Sequence, residues 1–389
     1  MQVVSNIIDK TSFADLPCHK RVSQVFFGQG KFFKEYGSVF IGEVGISGKT
    51  ATVIFTNGKK KGGTFGLYES QRLIEIIKNN RLKKIPLVFF LDSAGARLND
   101  GFKALGAFRE LYRQVLYFRL EGNILISMVV RNCFGGSSMI AAASSHKVLS
   151  EKAMFGMSGP KLMFEKKSFS KYKIENIDSI FESFSAKARN SVDKSYFLCQ
   201  DHAEAYKALL NNILKNDNSV ANNLLVRQNE LAQRLDKEKI PAVDVNSTKN
   251  YKVGNGGGVG ASEMIALSEY LLRAKIGARI TITLNASSHA MNLENEQVIL
   301  SDYMAHTALC LAEAKRRKIS VKLVVKGCAG GGAYVSLASG CGTVRAELNA
   351  KFFLLPEKAV EAVIGKKFQF EISTNDFIKC GVVDEFMEK

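Results

Sequence analysis

The 389-residue chain lacks the long apolar run that a membrane span needs, since no window reaches roughly 18–20 uninterrupted apolar residues. Its N-terminus has no basic start followed by an apolar block, so we see no secretory signal. The seven cysteines are scattered and none forms a C-x-x-C pair, which argues against a zinc site or a disulfide framework. No G-x-G-x-x-G or Walker sequence stands at a first strand–helix junction. We expect a cytoplasmic globular protein with reduced thiols and no metal.

Basic residues exceed acidic residues, 54 against 37, which gives a formal net charge of +17. Such an excess favours anionic partners: nucleic acid, an acidic protein or a phosphate-bearing cofactor. A general lysine bias of the genome is the alternative explanation. The basic residues are spread along the chain and no nucleic-acid-binding module accompanies them, so nucleic acid is not the partner we expect.

Apolar strands alternate with amphipathic helices in the N-terminal part of the chain. Candidate strands lie at 38–46, 50–57, 85–91, 123–130 and 146–151, with helices at 65–82 and 102–120. This alternation is typical of an α/β structure whose sheet is covered on both faces. From about 170 to 250 the pattern predicts a helical connector, with long helices at 179–197 and 202–215. Alternation then resumes, with helices at 262–277 and 295–317 and strands at 278–284 and 320–327.

Four features occur in the same order in both halves of the chain. A glycine-containing loop opens a helix (60–73 and 254–267), a strand ends in a small-residue loop (92–97 and 285–290), a long helix and a strand follow, and a glycine run opens a further helix (132–145 and 327–340). One match could be accidental, whereas four in order indicate an internal duplication. We therefore predict domains at 1–170 and 251–389, joined by a connector at 171–250.

The glycine runs at 135–136 and 330–331 lie where a strand passes into a helix. The first amides of a helix have no intrahelical acceptor and carry partial positive charge, and glycine lets a ligand approach the backbone closely. With an amide from the neighbouring loop, each run could form a two-donor oxyanion hole. The alternative is that these glycines only let a helix pack closely on a sheet. The catalytic candidates are Gly95, Ala96, Gly135, Gly136, Ser288, His289, Gly330 and Gly331.

Two stretches of the first half, DSAGARLNDG (92–101) and NCFGGSSMIAAASSHKVLSEKAMFGMSGPKLMF (132–164), resemble the carboxyltransferases of the crotonase-like superfamily. In the second half, SSHAMNLENEQVILSDYMAHTALCLAEAKRR (287–317) and GCAGGGAYVSLASGCGTVRAELNAKFFLLP (327–356) resemble the γ subunit of biotin-independent malonate decarboxylase. The first half then resembles the β subunit, so the chain resembles a β–γ fusion. The resemblance implies an α/β fold with two crotonase-like domains of ββα repeats.

This resemblance also implies a reaction. A malonyl thioester, carried on an acyl carrier protein's phosphopantetheine or on coenzyme A, would lose CO2 to give a thioester enolate. Amides of the first half would hold the enolate oxygen, and the second hole would hold the departing or transferred carboxylate, or the ureido oxygen of biotin. The active site would lie where an N-terminal half faces a C-terminal half, in one chain or between the subunits of a homo-oligomer. The expected cofactor-binding residues are Gly62, Gly63, Ser93 and Arg97.

Departures from the family pattern leave alternatives open. No biotinyl-lysine sequence of the M-K-M type is present, so biotin would arrive on a separate carrier protein and no covalently bound cofactor is expected. The second loop has His289 where the resemblance leads us to expect arginine, and histidine is a weaker, pH-dependent counter-ion. The chain could instead be a component of a biotin-dependent acyl-CoA carboxyltransferase, or a non-catalytic scaffold that keeps the fold.

Three further predictions concern single residues. Arg97 either pairs with a carboxylate or phosphate of the ligand, or braces its loop against Asp92 or Asp100. His306 lies inside a helical pattern, where we expect a packed or surface residue. A Gly136→Val change is predicted to abolish turnover while leaving the fold largely intact.

Overall fold

The computed structural model describes residues 12–29, 32–160, 163, 177–216, 222–243, 250–355, 360–361 and 374–387. Strands occur at Lys34–Tyr36 (β1), Val39–Ile46 (β2), Lys49–Thr56 (β3), Leu87–Ser93 (β4), Leu125–Phe134 (β5), His146–Ser150 (β6), Met154–Gly156 (β7), Tyr196–Cys199 (β8), Asn250–Val259 (β9), Arg279–His289 (β10), Ser320–Gly330 (β11), Thr343–Glu347 (β12), Lys351–Phe353 (β13) and Glu385–Met387 (β14).

α-Helices occur at Cys18–Val25 (α1), Leu67–Lys83 (α2), Gly101–Leu120 (α3), Gly136–Ala143 (α4), Ile177–Ser183 (α5), Ala186–Val192 (α6), Ala203–Asn216 (α7), Leu224–Ala232 (α8), Ala261–Arg273 (α9), Leu293–Gln297 (α10), Leu300–Arg316 (α11), Gly331–Gly340 (α12) and Thr374–Lys379 (α13). The strands form two sheets and the helices pack against them, so the α/β fold class is confirmed.

The first sheet has the strand order β1-β2-β3-β4-β5-β6-β8, and β7 pairs with β5. Its first three strands are antiparallel, and every pairing from β3 onward is parallel. Alternate residues of β4 enter different cores: Leu87 and Phe89 join one, whereas Val88 and Phe90 join another with side chains of α1 and α7. Both faces of this sheet are therefore covered, which explains the unbroken apolar sequence of β4.

The second sheet is parallel throughout, in the order β14-β12-β11-β10-β9, and β13 pairs with β11. Along β10 the buried residues Ile280, Ile282 and Leu284 alternate with half-buried threonines. The buried face packs against α9, α11 and α12 within the same core as the α3 side of the first sheet. One hydrophobic core thus joins the two sheets.

Polar contacts also join the halves across this core. The guanidinium of Arg109 in α3 forms an ion pair with Asp384 at 2.8 Å and donates to the carbonyl of Ala338 in α12 at 3.2 Å. The hydroxyls of Ser138 in α4 and Ser301 in α11 are hydrogen-bonded at 2.7 Å. These contacts join α3 to α12 and α4 to α11, so helices of the first half are held against helices of the second half.

The connector differs from the prediction in one respect. Instead of one helix over 179–197, the chain forms α5 and α6 and then β8, which pairs in parallel with β6 and extends the first sheet. The helices separate because the Ser185 side chain caps α6, accepting the amide of Ala188 at 3.2 Å. In β8 the exposed Phe197 and Leu198 lie between the buried Tyr196 and Cys199. The segment is therefore a mixed extension of the first sheet and not purely helical.

A buried ion cluster fixes the connector to both halves. The fully buried carboxylate of Asp302 on α11 accepts the Tyr196 hydroxyl at 2.8 Å and contacts three cations. These cations are Lys147 on β6, Arg227 on α8 and Arg234 just after α8, at 3.5, 2.9 and 2.9 Å. Asp193 shares the same three cations, at 3.3, 2.8 and 2.7 Å respectively.

The predicted strand ends are too early in the second half. Residues 254–258, expected in a loop, lie inside β9, and β10 continues through Ser288 and His289. Gly330 is the last residue of β11 rather than part of a helix start. The longer strands are stabilised by pairing between β9 and β10, which resumes after an irregularity at Leu284/Ala286. The predicted boundary at 170/171 falls outside the described residues, and the domain limits stay a prediction.

Candidate active site

A cavity of about 910 Å³ lies between the two halves, at the carboxyl ends of β4 and β5 and the N-termini of α4 and α12. Ligand sites in α/β proteins commonly lie at this end of parallel strands. Eight of the predicted residues line the cavity: Gly62, Ser93, Ala96, Arg97, Gly135, Gly136, His289 and Gly331. The other four, Gly63, Gly95, Ser288 and Gly330, are not in its lining. The structure thus brings the predicted loops of both halves together around one space.

Two of the four expected amide donors in the first half are already used by the protein. The N–H of Gly95 donates to Ser93 Oγ at 3.1 Å, and the N–H of Gly135 donates to the carbonyl of Met157 at 3.0 Å. Within the described part of the chain, the amides of Ala96 and Gly136 have no hydrogen-bond acceptor, and both residues line the cavity. The donors available to a negatively charged ligand oxygen are therefore those of Ala96 and Gly136.

Close packing holds the loop that precedes Ala96 against the backbone at the start of α4. Gly95 has φ of +98°, and a Cβ there would lie 2.7 Å from the Phe134 carbonyl and 3.0 Å from the Gly136 nitrogen. A Cβ at Gly136 would collide with the ring of Phe108. The prediction for Gly136→Val is therefore wrong about the fold, because valine at this position disturbs the packing of α3 against α4 as well as the site.

Arg97 braces the loop that carries the Ala96 amide. Its guanidinium donates to both carboxylate oxygens of Glu69, at 2.9 and 2.6 Å, and to the carbonyl of Thr64 at 2.8 Å. Burial alone would raise the pKa of Glu69, but the hydrogen bonds from Arg97 and from backbone amides, with the charge of Arg97, together hold that pKa below its ordinary value. The bracing interpretation is thus the one that the geometry supports.

The closest partner in this brace is Glu69, which the sequence analysis did not suggest, and Asp100, one of the two suggested acids, adds a longer ion pair. Asp100 lies 3.6 Å from the guanidinium of Arg97, whereas Asp92 pairs with Arg21 at 3.1 Å. Glu69 was missed, although a local signal exists: it stands three residues after Gly66, whose amide it accepts at 3.2 Å at the start of α2. A glutamate at this position of a helix start could have been identified as a buried anion.

In the second half, an imidazole occupies the start of the glycine-opened helix. Nδ1 of His289 accepts the N–H of Gly332 at 3.2 Å and lies 3.2 Å from Ser288 Oγ. Because Nδ1 is an acceptor, the neutral ring carries its proton on Nε2, which donates to Ser158 Oγ at 3.1 Å. A side chain at Gly332 would also collide with the methyl group of Met157. The Gly332 amide is thus engaged by the protein itself.

Ser158 and Met157, which the sequence gave no reason to select, are fixed by a buried glutamate. Glu296 accepts the amides of Met157 and Ser158, at 3.1 and 2.6 Å, and lies beside the buried guanidinium of Arg189. Complete burial raises the pKa of Glu296 above its ordinary value, against the opposing effect of Arg189. Because these residues are separated by more than 100 positions, no local pattern points to their contact.

No helix in the described ranges is both long and apolar enough to cross a bilayer. Among the residues that the structure describes, there is no group of three or more His, Cys, Asp or Glu side chains that could hold a metal ion.

Comparison with known proteins gives a family match for the N-terminal part of the chain. Residues 4–176 match the carboxyl transferase domain. The matched range covers less than half of the chain, and it includes the Ala96 and Gly136 amides and the loop braced by Arg97.

The chain is similar to parts of larger curated proteins. The methylmalonyl-CoA carboxyltransferase 12S subunit of Propionibacterium freudenreichii subsp. shermanii is 24% identical over 161 residues, which cover 41% of this chain and 30% of that protein. The propionyl-CoA carboxylase beta chain of Saccharopolyspora erythraea is 26% identical over 148 residues, 38% of this chain and 27% of that protein. The match therefore spans less than a third of either relative's length.

Solved structures of this kind were also found. A transcarboxylase 12S hexamer is 16% identical, covering 97% of this chain and 87% of that one, with a TM-score of 0.44. A Pseudomonas malonate decarboxylase hetero-tetramer in complex with malonate is 16% identical, covering 53% of this chain and 84% of that one, with a TM-score of 0.47.

Proposed function

We propose that this chain decarboxylates a malonyl-type thioester through an enolate held by the amides of Ala96 and Gly136. The bond between the α-carbon and the carboxylate breaks, CO2 leaves, and the electron pair passes through the α-carbon to the thioester oxygen. That oxygen becomes negatively charged, and the two amides would stabilise it more than they stabilise the neutral carbonyl. The α-carbon then takes a proton from water. The observation that carries this proposal is the pair of unoccupied amides on the cavity wall.

The second half favours release of CO2 over its transfer to an acceptor. A carboxylate or a ureido oxygen bound at the start of α12 would compete with His289 for the Gly332 amide. The ring is also linked to Ser158, so its displacement costs two hydrogen bonds at a buried position. The first half alone would then supply the enolate site. Transfer to biotin on a separate carrier protein is the alternative reaction.

We further propose that coenzyme A or the phosphopantetheine of an acyl carrier protein presents the substrate, and that no cofactor is covalently bound. The exposed Lys61 lines the cavity next to Gly62, and Lys59 and Lys60 are exposed beside it. With the net charge of +17, these lysines would attract a phosphate or an acidic carrier protein. The 12S relative forms a hexamer, and we extend the expectation of a homo-oligomer to this chain.

The experiment compares two substitutions at one position. Ala96→Pro removes the amide hydrogen, whereas Ala96→Gly keeps it. Purified protein is incubated with malonyl-CoA and with a malonyl carrier protein, and the acetyl thioester is measured. Loss of one oxyanion donor is expected to lower kcat about 100-fold to 1,000-fold in Ala96→Pro, with Ala96→Gly near the unchanged protein.

Two results would count against the proposal. Turnover by Ala96→Pro close to that of Ala96→Gly would remove this amide from the mechanism. If the unchanged protein consumes neither thioester, with or without biotin, the result favours the scaffold alternative. Consumption only in the presence of biotin would instead favour the carboxyltransferase alternative.

A further inference from the structure

Cationic residues from three separate segments gather at one end of the molecule. The segments are RLKK (81–84), RAKIGAR (273–279) and KRRKISVK (315–322), which together hold eleven Lys or Arg residues and no Asp or Glu. They lie where α2, α9 and α11 end and the following strands begin. We call the surface formed by these three segments the basic end. The fold thus concentrates charge that is spread along the sequence.

Side-chain contacts join the three segments into one surface. Arg81 and Lys315 both lie beside the ring of Tyr117 on α3, each with its charged group 5.7 Å from the ring centroid. The guanidinium of Arg316 donates to the last carbonyl of α3 at 2.7 Å. That of Arg317 donates to the carbonyl of the residue after α9 at 2.8 Å. The ends of α2, α3, α9 and α11 are therefore neighbours.

The basic end lies away from the cavity. Close to it, β4 begins at Leu87 and β10 begins at Arg279, whereas their other ends, Ser93 and His289, line the cavity. At about 3.3 Å per residue, strands of seven and eleven residues place about 20–35 Å between the two ends. A partner bound at the basic end therefore does not contact the proposed reaction site.

Stabilisation of helix ends accounts for only some of these cations. Positive charge is favourable in the last turn of a helix, where Arg316 lies on α11. Lys84 and Lys318 instead have φ of +55° and +59°. Each follows a helix at the position where glycine is usual, because the next amide returns to the carbonyl five residues earlier. Helix stability alone does not explain a lysine at both positions.

Two aliphatic side chains are exposed among these cations. Leu82 is 80% exposed and Ile276 is 74% exposed, and each stands next to a lysine in the sequence. An aliphatic tip among cations suits an anionic bilayer, where cations attract the headgroups and the tip enters the acyl boundary. The surface suits single-stranded nucleic acid less well, because bases stack on aromatic rings and Tyr117 already lies against Arg81 and Lys315.

We propose that the basic end docks this protein on a bilayer that contains anionic phospholipids, with Leu82 and Ile276 entering the boundary between headgroups and acyl chains. The lysines and arginines attract the lipid phosphates, and the cavity lies at the end away from the bilayer. This inference goes beyond the proposed reaction and does not depend on it.

Vesicle sedimentation tests the docking. The purified full-length protein is mixed with vesicles of phosphatidylcholine and phosphatidylglycerol, or with vesicles of phosphatidylcholine alone. We expect binding to the anionic vesicles only, and weaker binding as salt is added, because salt screens the charges. Equal binding to both kinds of vesicle, or binding to neither, overturns the inference.

Two double variants separate charge from apolar contact. Lys84→Asn/Lys318→Asn removes two charges and introduces a residue that tolerates positive φ, and it should weaken vesicle binding about 25-fold, about fivefold for each charge. Leu82→Ser/Ile276→Ser keeps the charge and should weaken binding about tenfold, because part of each side chain leaves water on docking. Circular dichroism checks that each variant is folded.

The matched control is Lys152→Asn/Lys351→Asn, which removes two exposed lysines at the cavity end and should leave vesicle binding unchanged. Lys152 follows β6, and Lys351 pairs near the carboxyl end of β11. Unchanged binding in the charge variant overturns the inference. So does unchanged binding in the apolar variant, or retention on RNA without binding to vesicles, because either result indicates a surface for another polyanion.

Docking and the proposed reaction are measured in different assays. Turnover of a soluble thioester should be the same in the charge variant, the apolar variant and the unchanged protein. Vesicle binding without turnover refutes the decarboxylation and retains the docking surface, whereas turnover without vesicle binding does the reverse.

Discussion

Replacing His289 by alanine is expected to destabilise the protein and to open the second anion site. The ring is 3% exposed, and its removal leaves the Gly332 N–H buried without its acceptor. An unpaired buried donor costs about 1–3 kcal/mol, and the ring also leaves a cavity beside Ser288. We expect a loss of about 2–4 kcal/mol in the free energy of unfolding.

Two conservative variants divide this loss between the ends of the ring. The side-chain oxygen of His289→Asn can replace Nδ1 as the acceptor for Gly332, whereas the side-chain amide of His289→Gln can replace Nε2 as the donor to Ser158. If capping of α12 matters most, His289→Asn is the more stable of the two. Urea unfolding followed by circular dichroism gives the free energies, and His19→Ala, at an exposed histidine, is the control.

Added formate gives the decisive comparison. In His289→Ala the Gly332 amide and the helix dipole should bind the carboxylate, which stabilises the folded state according to RT ln(1 + [L]/Kd). The unchanged protein should show no such stabilisation, because its own imidazole takes the amide. The reasoning is refuted if His289→Ala costs no more than about 0.5 kcal/mol, the range of an ordinary surface change, or if formate stabilises both proteins equally.

Two further changes test buried charge. Burial lowers the pKa of His306 to about 3, with a smaller contribution from Arg227, so the unfolded chain binds an extra proton between that pH and 6.5. The free energy of unfolding therefore falls by up to about 1.4 kcal/mol per pH unit as the pH drops through this window. His306→Gln, which keeps a donor for Gln228, should reduce the slope of the urea midpoint against pH, and an unchanged slope contradicts the assignment. Burial alone would raise the pKa of Asp302, but three cations led by Lys147 hold that pKa below its ordinary value. Asp302→Asn leaves those cations without a balancing charge and should lower the free energy of unfolding by about 3–5 kcal/mol. A loss below about 1 kcal/mol in urea unfolding would show that solvent already screens the cluster.

Local patterns of the sequence predicted much of the first half. Local sequence predicts the strand, the loop and the helix start there, because their backbone geometry depends on neighbouring residues. The signals are the apolar run of β4, the small residues at 93–96 and the glycines at 135–136. The helices α2 and α3 follow from apolar spacing in the same way. Predictions in the second half were less accurate, because β9 and β10 continue through glycine and serine residues by pairing with each other.

The connector shows a similar limit. The sequence YFLC at 196–199 continues a helical pattern, yet it pairs with β6 and places Tyr196 on the buried carboxylate of Asp302. A four-residue strand is stabilised mainly by contacts with distant residues, so its local sequence carries little signal.

The amino-acid sequence by itself determined where the candidate amides are, since a glycine run between an apolar strand and a helix exposes backbone donors wherever the chain folds. Only the tertiary structure decided which donors remain free. Met157 takes the amide of Gly135, and His289 takes that of Gly332, while Ala96 and Gly136 are left facing the cavity. The physical reason is that each buried N–H takes whichever acceptor the folded chain brings within about 3 Å, and the residues that meet there are far apart in sequence.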